Sequence, residues 1–443
     1  MPVLRFPNDF LWGAATASYQ IEGSPLADGA GASIWHTFSH TPGVITGGDH
    51  GDVACDHYRR WPEDIAIMRD IGLRAYRFSI AWPRVFPSGY GAVNAPGLSF
   101  YDRLVDGLLE AGIEPMVTLY HWDLPQALED QGGWATPTIA EHYAEYAETL
   151  FRTLGDRAKR WITFNEPWVF HWVGSALGIH APGRQDMASA LLGGHHTLRA
   201  HGEAVRRFRD LVPDGEIGIT LSVQAAVPAT DDPQDIQATA RARAFHNEWF
   251  VDPLFFGEYP PAMREQFGDL LPEISEEDRE TFRTPIDFIG LNYYTRQIYH
   301  HDDSGFFRAS TKRAVGVYTS MDWEIYPAGL YQVLREFHDR YRIPLYVTEN
   351  GAGFEDEHPG PQGEILDPER LRYIQSHLEM CHRAIDEGVD LRGYMVWSLL
   401  DNFEWGFGYA KRFGIVHCDF ENGQRTPKSS AAWYGRVIAE NGI

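Results

Sequence analysis

Short apolar runs alternate with longer amphipathic stretches along the whole chain. Eight runs of four to eight residues are rich in β-branched and aromatic side chains, as buried parallel strands are. Helical periodicity fills much of the sequence between them. The runs cover residues 10–16, 73–80, 114–119, 160–164, 216–221, 288–292, 345–348 and 393–398. The predicted helices include residues 101–111, 137–154, 188–211, 327–341 and 368–388.

Eight strands that alternate with helices predict the α/β class and a single (β/α)8 TIM barrel over residues 1–443. The runs lie about 50 residues apart, which is more than a βαβ unit needs. Long βα loops are therefore expected at the C-terminal face, notably after residues 22, 166, 292 and 398. Periodicity alone leaves a doubly wound open sheet as the alternative architecture.

Hydrogen-bonding side chains lie at or just beyond the C-terminal ends of seven of these runs. Such ends meet on one face of a barrel, where catalytic groups sit. One polar strand end is ordinary, but seven of eight predict a pocket. In chain order the residues are Gln20, Glu22, Arg77, His121, Asn165, Glu166, Asn292, Tyr294, Glu349 and Trp397.

Composition narrows the functional classes. Of 443 residues, 44% are hydrophobic and 23% are charged, which is typical of a folded globular protein. The net charge of −24 argues against a nucleic acid or an anionic membrane surface as partner. Three widely spaced cysteines, no signal peptide pattern and no long apolar run predict a cytoplasmic protein. A homo-oligomer is left open.

Aromatic residues are abundant, at 14% with 14 Trp, and indicate a cleft with flat apolar faces. Sugars, nucleobases and aromatic cofactors all stack on such faces, so composition does not choose among them. The sequence lacks a P-loop, a complete dinucleotide fingerprint, His-Glu-x-x-His and Gly-x-Ser-x-Gly. The adjacent pairs His195-His196 and His300-His301 suit solvated histidines better than a metal site. No metal is predicted.

Glu166 and Glu349, which follow the fourth and seventh strands, suit hydrolysis of a glycosidic bond. One carboxyl must protonate the leaving oxygen, and the other must be ionised opposite the cationic anomeric carbon. Arg77 and Tyr294 near Glu349 would favour its charged form and make it the nucleophile, leaving Glu166 as acid/base with a raised pKa. A gap of about 5–5.5 Å would give retention and about 6.5–9.5 Å inversion, and the sequence leaves this open.

Two further clusters are typical of a sugar site. The segment His121-Trp122-Asp123 combines a stacking face with two hydrogen-bonding groups. The segment from Trp397 to Trp405 places Glu404, which can accept two hydroxyl hydrogen bonds, between aromatic rings. Taken singly, each segment is as easily a structural turn or a core aromatic group.

The motifs together identify a family. The chain resembles glycoside hydrolase family 1, the β-glucosidase family, over essentially its whole length. Residues 10–23 are similar to the family's N-terminal signature, Asn165-Glu166-Pro167 to its acid/base site, and Thr348-Glu349-Asn350-Gly351 to its nucleophile site. The resemblance implies a (β/α)8 barrel, retaining hydrolysis of β-glycosides, and neither a metal nor an organic cofactor.

By this resemblance Glu166 and Glu349 are catalytic, and Arg77, Asn292 and Tyr294 orient the carboxylates. An anionic Glu404 would repel a phosphorylated sugar, although Lys411 and Arg412 lie nearby in sequence. Clusters and resemblance together give the predicted substrate-binding residues. These are Gln20, His121, Trp122, Asn165, Asn292, Tyr294, Trp397, Glu404, Trp405 and Phe413.

The expected function is therefore hydrolysis of small-molecule β-glycosides. A retaining β-glucosidase would release terminal non-reducing β-D-glucosyl residues from cellobiose, cello-oligosaccharides or aryl β-glucosides. The alternatives are a β-galactosidase or β-fucosidase, a transglycosylase, an inverting hydrolase, and, from another class, a non-catalytic sugar-binding barrel. The preferred aglycone depends on loops 168–187, 222–232 and 295–325, whose shapes the sequence does not give.

Overall fold

Eight parallel strands close into a barrel in the computed structural model, which describes residues 4–355, 360 and 363–443. The sheet order is β5-β4-β3-β2-β1-β9-β8-β6-β7, and β5 also pairs with β6, so the ring closes. The predicted barrel is confirmed, and the open sheet is excluded. The strands are β1 Leu11–Ala15, β2 Ala75–Ser79, β3 Glu114–Tyr120, β4 Arg160–Asn165, β5 Glu216–Pro228, β6 Phe288–His301, β7 Ala309–Lys312, β8 Leu345–Asn350 and β9 Leu391–Trp397.

Helices cover the outside of the barrel and its loops. The predicted helix over 101–111 begins earlier, at Ala95, because Pro96 supplies a preset helical φ in the first turn. The α-helices are α1 Ser18–Ile21, α2 Ile34–Ser39, α3 His57–Ile71, α4 Trp82–Val85, α5 Ala95–Glu110, α6 Gln126–Glu129, α7 Ile139–Leu154, α8 Met187–Leu211, α9 Pro233–Arg243, α10 Asp252–Phe256, α11 Pro261–Phe267, α12 Glu276–Phe282, α13 Pro327–Tyr341, α14 Pro368–Asp386 and α15 Ser429–Glu440.

Strands β5 and β6 run well beyond their predicted ends at residues 221 and 292. They remain paired as far as Pro228 and Tyr299, and the antiparallel β7 adds to the outer half of β6. Loops expected over 222–232 and 295–325 are thus partly strand. The apolar criterion missed the outer part of β6 because it is only half-buried, and backbone pairing continues regardless of burial. It missed the outer part of β5 because Ser222 and Gln224 interrupt the apolar run there.

Aromatic packing between the barrel and α7 fixes the C-terminal ends of β2 and β3. The rings of Trp82 and Tyr146 stack with centroids 5.0 Å apart, and both side chains are fully buried. The Tyr146 hydroxyl lies 3.0 Å from the carbonyl of Ile80 and 2.8 Å from that of Leu119. Each such ring contributes about 1.5–3 kcal/mol of burial. This packing holds the strand ends on which the pocket is built.

After β9, the chain forms a small antiparallel hairpin of β10 Val416–Cys418 and β11 Arg425–Pro427 before α15. Cys55, Cys381 and Cys418 are buried free thiols. Among the residues that the structure describes, no helix combines the length and apolarity needed to cross a bilayer.

Candidate active site

A cavity of about 630 Å³ opens at the C-terminal ends of the barrel strands. Most of the predicted site residues lie on the wall of this cavity. The whole predicted set comes from seven different strand ends. Four others, Gln20, Arg77, Asn165 and Asn292, are buried against the wall residues. The predicted residues that line the cavity are His121, Trp122, Glu166, Tyr294, Glu349, Trp397, Glu404, Trp405 and Phe413.

Glu349 is the second-last residue of β8, and its carboxylate is held at both oxygens. Nη1 of Arg77 donates to Oε1 at 2.6 Å, and the Tyr294 hydroxyl donates to Oε2 at 2.6 Å. Burial raises the pKa of Glu349, while Arg77, Tyr294 and Asn292 all act to lower it. Arg77 and Tyr294 favour the charged form of Glu349, as expected, but burial outweighs them and the net pKa of Glu349 is raised.

Glu166 has a different environment. It is buried, and one amide donates to it within hydrogen-bonding distance, from Nδ2 of Asn292 to Oε1 at 2.7 Å. Burial, and next the negative charge of Glu349, raise the pKa of Glu166 to about 8. At neutral pH the Glu166 carboxyl therefore holds a proton, while the cation beside Glu349 favours its ionised form.

Asn165 and Asn292 connect the two carboxyl groups. Oδ1 of Asn165 accepts from Arg77 at 2.6 Å and from Asn292 at 3.0 Å, so its Nδ2 is a donor. That donor lies 3.0 Å from Nε2 of His121, which must then be the lone-pair nitrogen. A sugar hydroxyl would have to share these amides with their protein partners. Predicted sugar ligands thus also position the carboxylates.

Three buried polar atoms at one end of the cavity have no hydrogen-bond partner among the residues that the structure describes. They are Nδ1 of His121, Oε1 of Gln20 and Oε2 of Glu404. The Gln20 amide is oriented by donating to Asn402 Oδ1 at 3.0 Å and to the Phe403 carbonyl at 2.8 Å. Because buried polar atoms are costly when unpaired, an imidazole N–H, an amide oxygen and a carboxyl oxygen, which donates when protonated and accepts when ionised, indicate a polyhydroxylated ligand.

The charge of Glu404 differs from the expectation. Burial, and then the neighbouring Glu349, raise the pKa of Glu404 to about 8, which favours a protonated carboxyl at neutral pH. The two nearby cations are engaged elsewhere. Lys411 donates to the Ser320 carbonyl at 2.5 Å, and Arg412 donates to Asp401 at 3.0 Å.

Four cavity residues have left-handed backbone conformations, with φ of 76° at Trp122, 50° at Glu166, 56° at Phe307 and 48° at Trp405. Such conformations cost about 1–3 kcal/mol for residues other than glycine and cluster at functional sites. Trp122 is held by its indole N–H, which donates to the Asn165 carbonyl at 2.9 Å. The surrounding contacts thus maintain an unfavourable backbone to aim these side chains.

Some expectations from single segments were wrong. Asp123 does not line the cavity, and its Oδ2 accepts from Ser18 Oγ at 2.5 Å beneath the wall. Because the Trp122 N–H is also engaged, the segment 121–123 offers one hydrogen-bonding side chain, His121, and not two. His195 and His196 are buried rather than solvated, and bond Tyr259 and the Trp134 carbonyl.

The wider, mostly apolar part of the cavity contains residues that the sequence did not single out. Trp168 and His180 lie on the segment after β4, and both carry a buried ring nitrogen without a partner. Trp168 follows Glu166 closely in the sequence. An aromatic residue so near the predicted acid was the signal that could have identified it as part of the site. The segment that follows α9 gave no such signal. The missed residues include Trp168, His180, Phe245, His246, Tyr299, Phe306, Met321 and Trp323.

Comparisons with known proteins show which family the chain resembles throughout its length. The sequence profile described as Glycosyl hydrolase family 1 matches residues 3–443. Beta-glucosidase A of Thermotoga maritima is 50% identical over 445 residues, covering 100% of each chain. The 1,4-beta-D-glucan glucohydrolase of Thermotoga neapolitana is 50% identical over 441 residues, covering 99% of each. A solved beta-glucosidase from Thermotoga maritima in complex with galacto-hydroximolactam superposes with a TM-score of 0.97, 49% identity and 100% coverage of both chains.

Proposed function

The chain belongs to glycosyl hydrolase family 1, and from this premise we propose that it is a retaining β-glucosidase. Its substrates are cellobiose, short cello-oligosaccharides and aryl β-glucosides, from which it removes the terminal non-reducing β-D-glucosyl residue. The observation that carries the proposal is the unequal pair of carboxyl groups. Glu166 has a pKa of about 8, while Glu349 is bonded at both oxygens, one of them to a cation.

In the first step, an oxygen of the Glu349 carboxylate attacks the anomeric carbon. The bond from that carbon to the glycosidic oxygen breaks, and Glu166 donates its proton to the departing oxygen. The product is a glycosyl ester of Glu349 and a free aglycone alcohol. Without the proton this alcohol would leave as an alkoxide, so a positioned acid is worth about 10²–10⁴ in rate.

In the second step, Glu166 is ionised and takes a proton from water as the water attacks the anomeric carbon. The ester bond breaks, and Glu349 leaves as a carboxylate. Once Glu349 is esterified its negative charge is gone, which removes one cause of the raised pKa at Glu166. The same carboxyl can therefore act first as acid and then as base.

Retention is supported by Asn292. Its amide donates to Glu166, and Asn292 also acts to lower the pKa of Glu349. Glu349 in turn raises the pKa of Glu166, so the two carboxyl groups lie close together, which favours the spacing of about 5–5.5 Å over the wider gap of about 6.5–9.5 Å that an attacking water needs. Proton NMR of the first-formed sugar provides the direct test. The β-anomer should appear first, and initial release of the α-anomer would overturn retention.

An unphosphorylated sugar is supported by the polar end of the cavity. The free atoms of Gln20, His121 and Glu404 match hydroxyl groups. Lys411 and Arg412, the cations nearest in sequence, are already bonded to protein groups. A 6-phosphoglucoside should therefore be a much poorer substrate than the plain glucoside.

A β-galactosidase activity of the same site is the second candidate. A relative 49% identical over the full chain has been solved with galacto-hydroximolactam, a ligand of galacto configuration. Glucose and galactose differ only in the configuration of the 4-hydroxyl, so one set of carboxylates serves both. A panel of nitrophenyl glycosides measured beside cellobiose ranks these activities.

The catalytic assignment is tested by two substitutions. Glu349→Ala should abolish turnover of every substrate, because no nucleophile remains. Glu166→Ala should lose about 10²–10⁴ in rate on cellobiose but much less on an activated nitrophenyl glucoside, and azide should partly restore it. Glu216→Gln, at the N-terminal end of β5, is the matched control. If both alanine variants hydrolyse nitrophenyl β-glucoside at the parental rate, the assignment is wrong.

A further inference from the structure

A second group of polar side chains lies outside the cavity and has no part in the proposed hydrolysis. This histidine cluster consists of His36, His40, His50 and Asp52. Nδ1 of His36 lies 3.4 Å from Oδ1 of Asp52, and Nε2 of His40 lies 3.2 Å from Oδ2. Nδ1 of His50 lies 3.5 Å from Oδ2 of the same carboxylate. Three imidazoles therefore surround one carboxylate.

The backbone presents two of these imidazoles in fixed orientations. His36 is on α2, and His40 follows its last residue, so the pair has the i, i+4 spacing that puts two side chains on one face of a helix. Nδ1 of His40 lies 2.7 Å from the His36 carbonyl. A carbonyl only accepts, so Nδ1 carries a proton, and Nε2, which lies 3.2 Å from Oδ2 of Asp52, is the nitrogen that would bind an ion. Metal-binding histidines are commonly fixed in this way.

His36 and Asp52 approach each other without forming a hydrogen bond. Nδ1 of His36 and Oδ1 of Asp52 are both shielded from solvent, and neither has a hydrogen-bond partner. The two atoms lie 3.4 Å apart, a separation that one ion bound to both would span.

We propose that His36, His40 and Asp52 bind one divalent transition-metal ion of the Zn²⁺ class. The candidate ligand atoms of these three residues lie within 4.8 Å of one another. Ligands about 2.0–2.2 Å from a tetrahedral Zn²⁺ lie about 3.4 Å apart, close to the 3.2 and 3.4 Å found here. Two imidazoles and one carboxylate favour Zn²⁺, Cu²⁺ or Ni²⁺ over Mg²⁺ or Ca²⁺.

The fourth position falls to His50 or to water. The ring of His50 stacks on that of His40 with centroids 4.6 Å apart, so it already lies beside the site. A bound ion would join α2 to the segment that carries His50 and Asp52. Trp35, next to His36, packs on Trp405 of the cavity wall with ring centroids 4.4 Å apart. The ion would therefore stabilise the support behind one wall of the cavity.

The test is calorimetric titration of the metal-free, full-length protein with Zn²⁺, together with its thermal unfolding. We expect one ion per chain at this site and a saturable rise of the unfolding temperature, since a ligand that binds the folded state stabilises it. His36→Ala and His40→Ala should each weaken the affinity by more than about 10-fold and remove the rise in unfolding temperature. His382→Ala is the matched control, because His382 faces one carboxylate, Asp386, at 3.3 Å.

Two further measurements keep the proposal falsifiable if an alanine variant folds poorly. Asp52→Asn preserves the shape of the side chain and should lose the same affinity. Co²⁺ bound to the parent should give the intense visible absorption of a tetrahedral site, and Asp52→Asn should not. Absence of saturable Zn²⁺ binding by the parent, or equal binding by the parent and by the His36, His40 and Asp52 variants, would show that the cluster is an ion-pair network without a metal.

Discussion

Nη1 of Arg77 lies 2.6 Å from Oε1 of Glu349, and the side chains of the two residues are only 1% and 4% exposed. They come from β2 and β8, which are not neighbours in the barrel. Nη2 of the same guanidinium donates to Asn165 beside Glu166. One buried guanidinium thus holds both Glu349, the nucleophile, and Asn165, the neighbour of Glu166 on β4. The forked geometry that binds two groups at once is specific to arginine.

Replacing Arg77 by Met should therefore change the pH dependence of catalysis, an effect that a loss of folding stability alone does not explain. Arg77 lowers the pKa of Glu349, whereas burial raises it. Without the cation, the pKa of Glu349 therefore rises further. Because the nucleophile must be ionised, the acid limb of kcat/KM for an activated aryl glucoside should move up by about one to three pH units. The measurement is the pH profile of the variant beside the parent.

Stability provides the control for this variant. Removing one partner of a buried ion pair costs about 3–5 kcal/mol wherever the pair lies. Arg425→Met, which breaks the buried pair with Asp64, should lose similar stability in urea but keep the parental acid limb. If both variants show the same pH profile, Arg77 has a structural role only.

The alkaline limb should report Glu166. Its carboxyl must be protonated in the first step, and its pKa is raised to about 8, so kcat/KM for cellobiose should fall as pH rises through about 8. In Glu166→Ala, with a substrate whose leaving group needs no proton, this limb should disappear. A limb that persists unchanged in that variant belongs to another group.

Glu404 should lower stability at alkaline pH. Its pKa is about 8 in the folded protein against 4.5 unfolded, so the folded state binds the extra proton between these values. The contribution of Glu404 to the free energy of unfolding is most favourable below pH 4.5. It is lost as the pH rises from 4.5 through 8, by at most about 5 kcal/mol. Glu404→Gln should therefore gain free energy of unfolding at pH 9 but little at pH 5, while its KM for glucosides rises.

Urea unfolding of Glu404→Gln at both pH values checks this sign. The exposed Glu277, which pairs with Arg199 on the surface, is the matched control, and Glu277→Gln should change stability little at either pH. An equal gain at pH 5 and pH 9 would mean that charge burial is not the cause.

Trp168 should select substrates with a second sugar. It lines the cavity beside Glu166, and its indole N–H is buried without a partner. Trp168→Phe keeps an aromatic face but removes the donor, and should raise KM for cellobiose several-fold with little change for nitrophenyl glucoside. Trp249→Phe removes a similar unpartnered N–H from the core and is the control. Equal effects on both substrates would contradict a contact with the second sugar.

The barrel was predictable because it rests on local patterns. Buried parallel strands need continuous apolar runs, and these located all eight barrel strands to within a few residues at their starts. The outer half of β6 was missed because it is only half-buried and is held by backbone pairing, whereas that of β5 was missed because Ser222 and Gln224 interrupt its apolar run. The sequence also placed Glu166 and Glu349 at the ends of β4 and β8, since polar groups at strand ends meet on one face.

Burial and the partners of each polar atom were decided by the tertiary structure. Sequence alone does not show that the Asp123 side chain lies beneath the cavity wall. Nor does it show that burial raises the pKa of Glu404, or that burial opposes the effect of Arg77 on the pKa of Glu349. It also gave no sign that His36 and His40 meet Asp52. Desolvation depends on all the surrounding atoms, and those atoms come from distant parts of the chain. Patterns local to the sequence therefore determined the strands and the chemistry at their ends, whereas the three-dimensional packing determined the charge of each group.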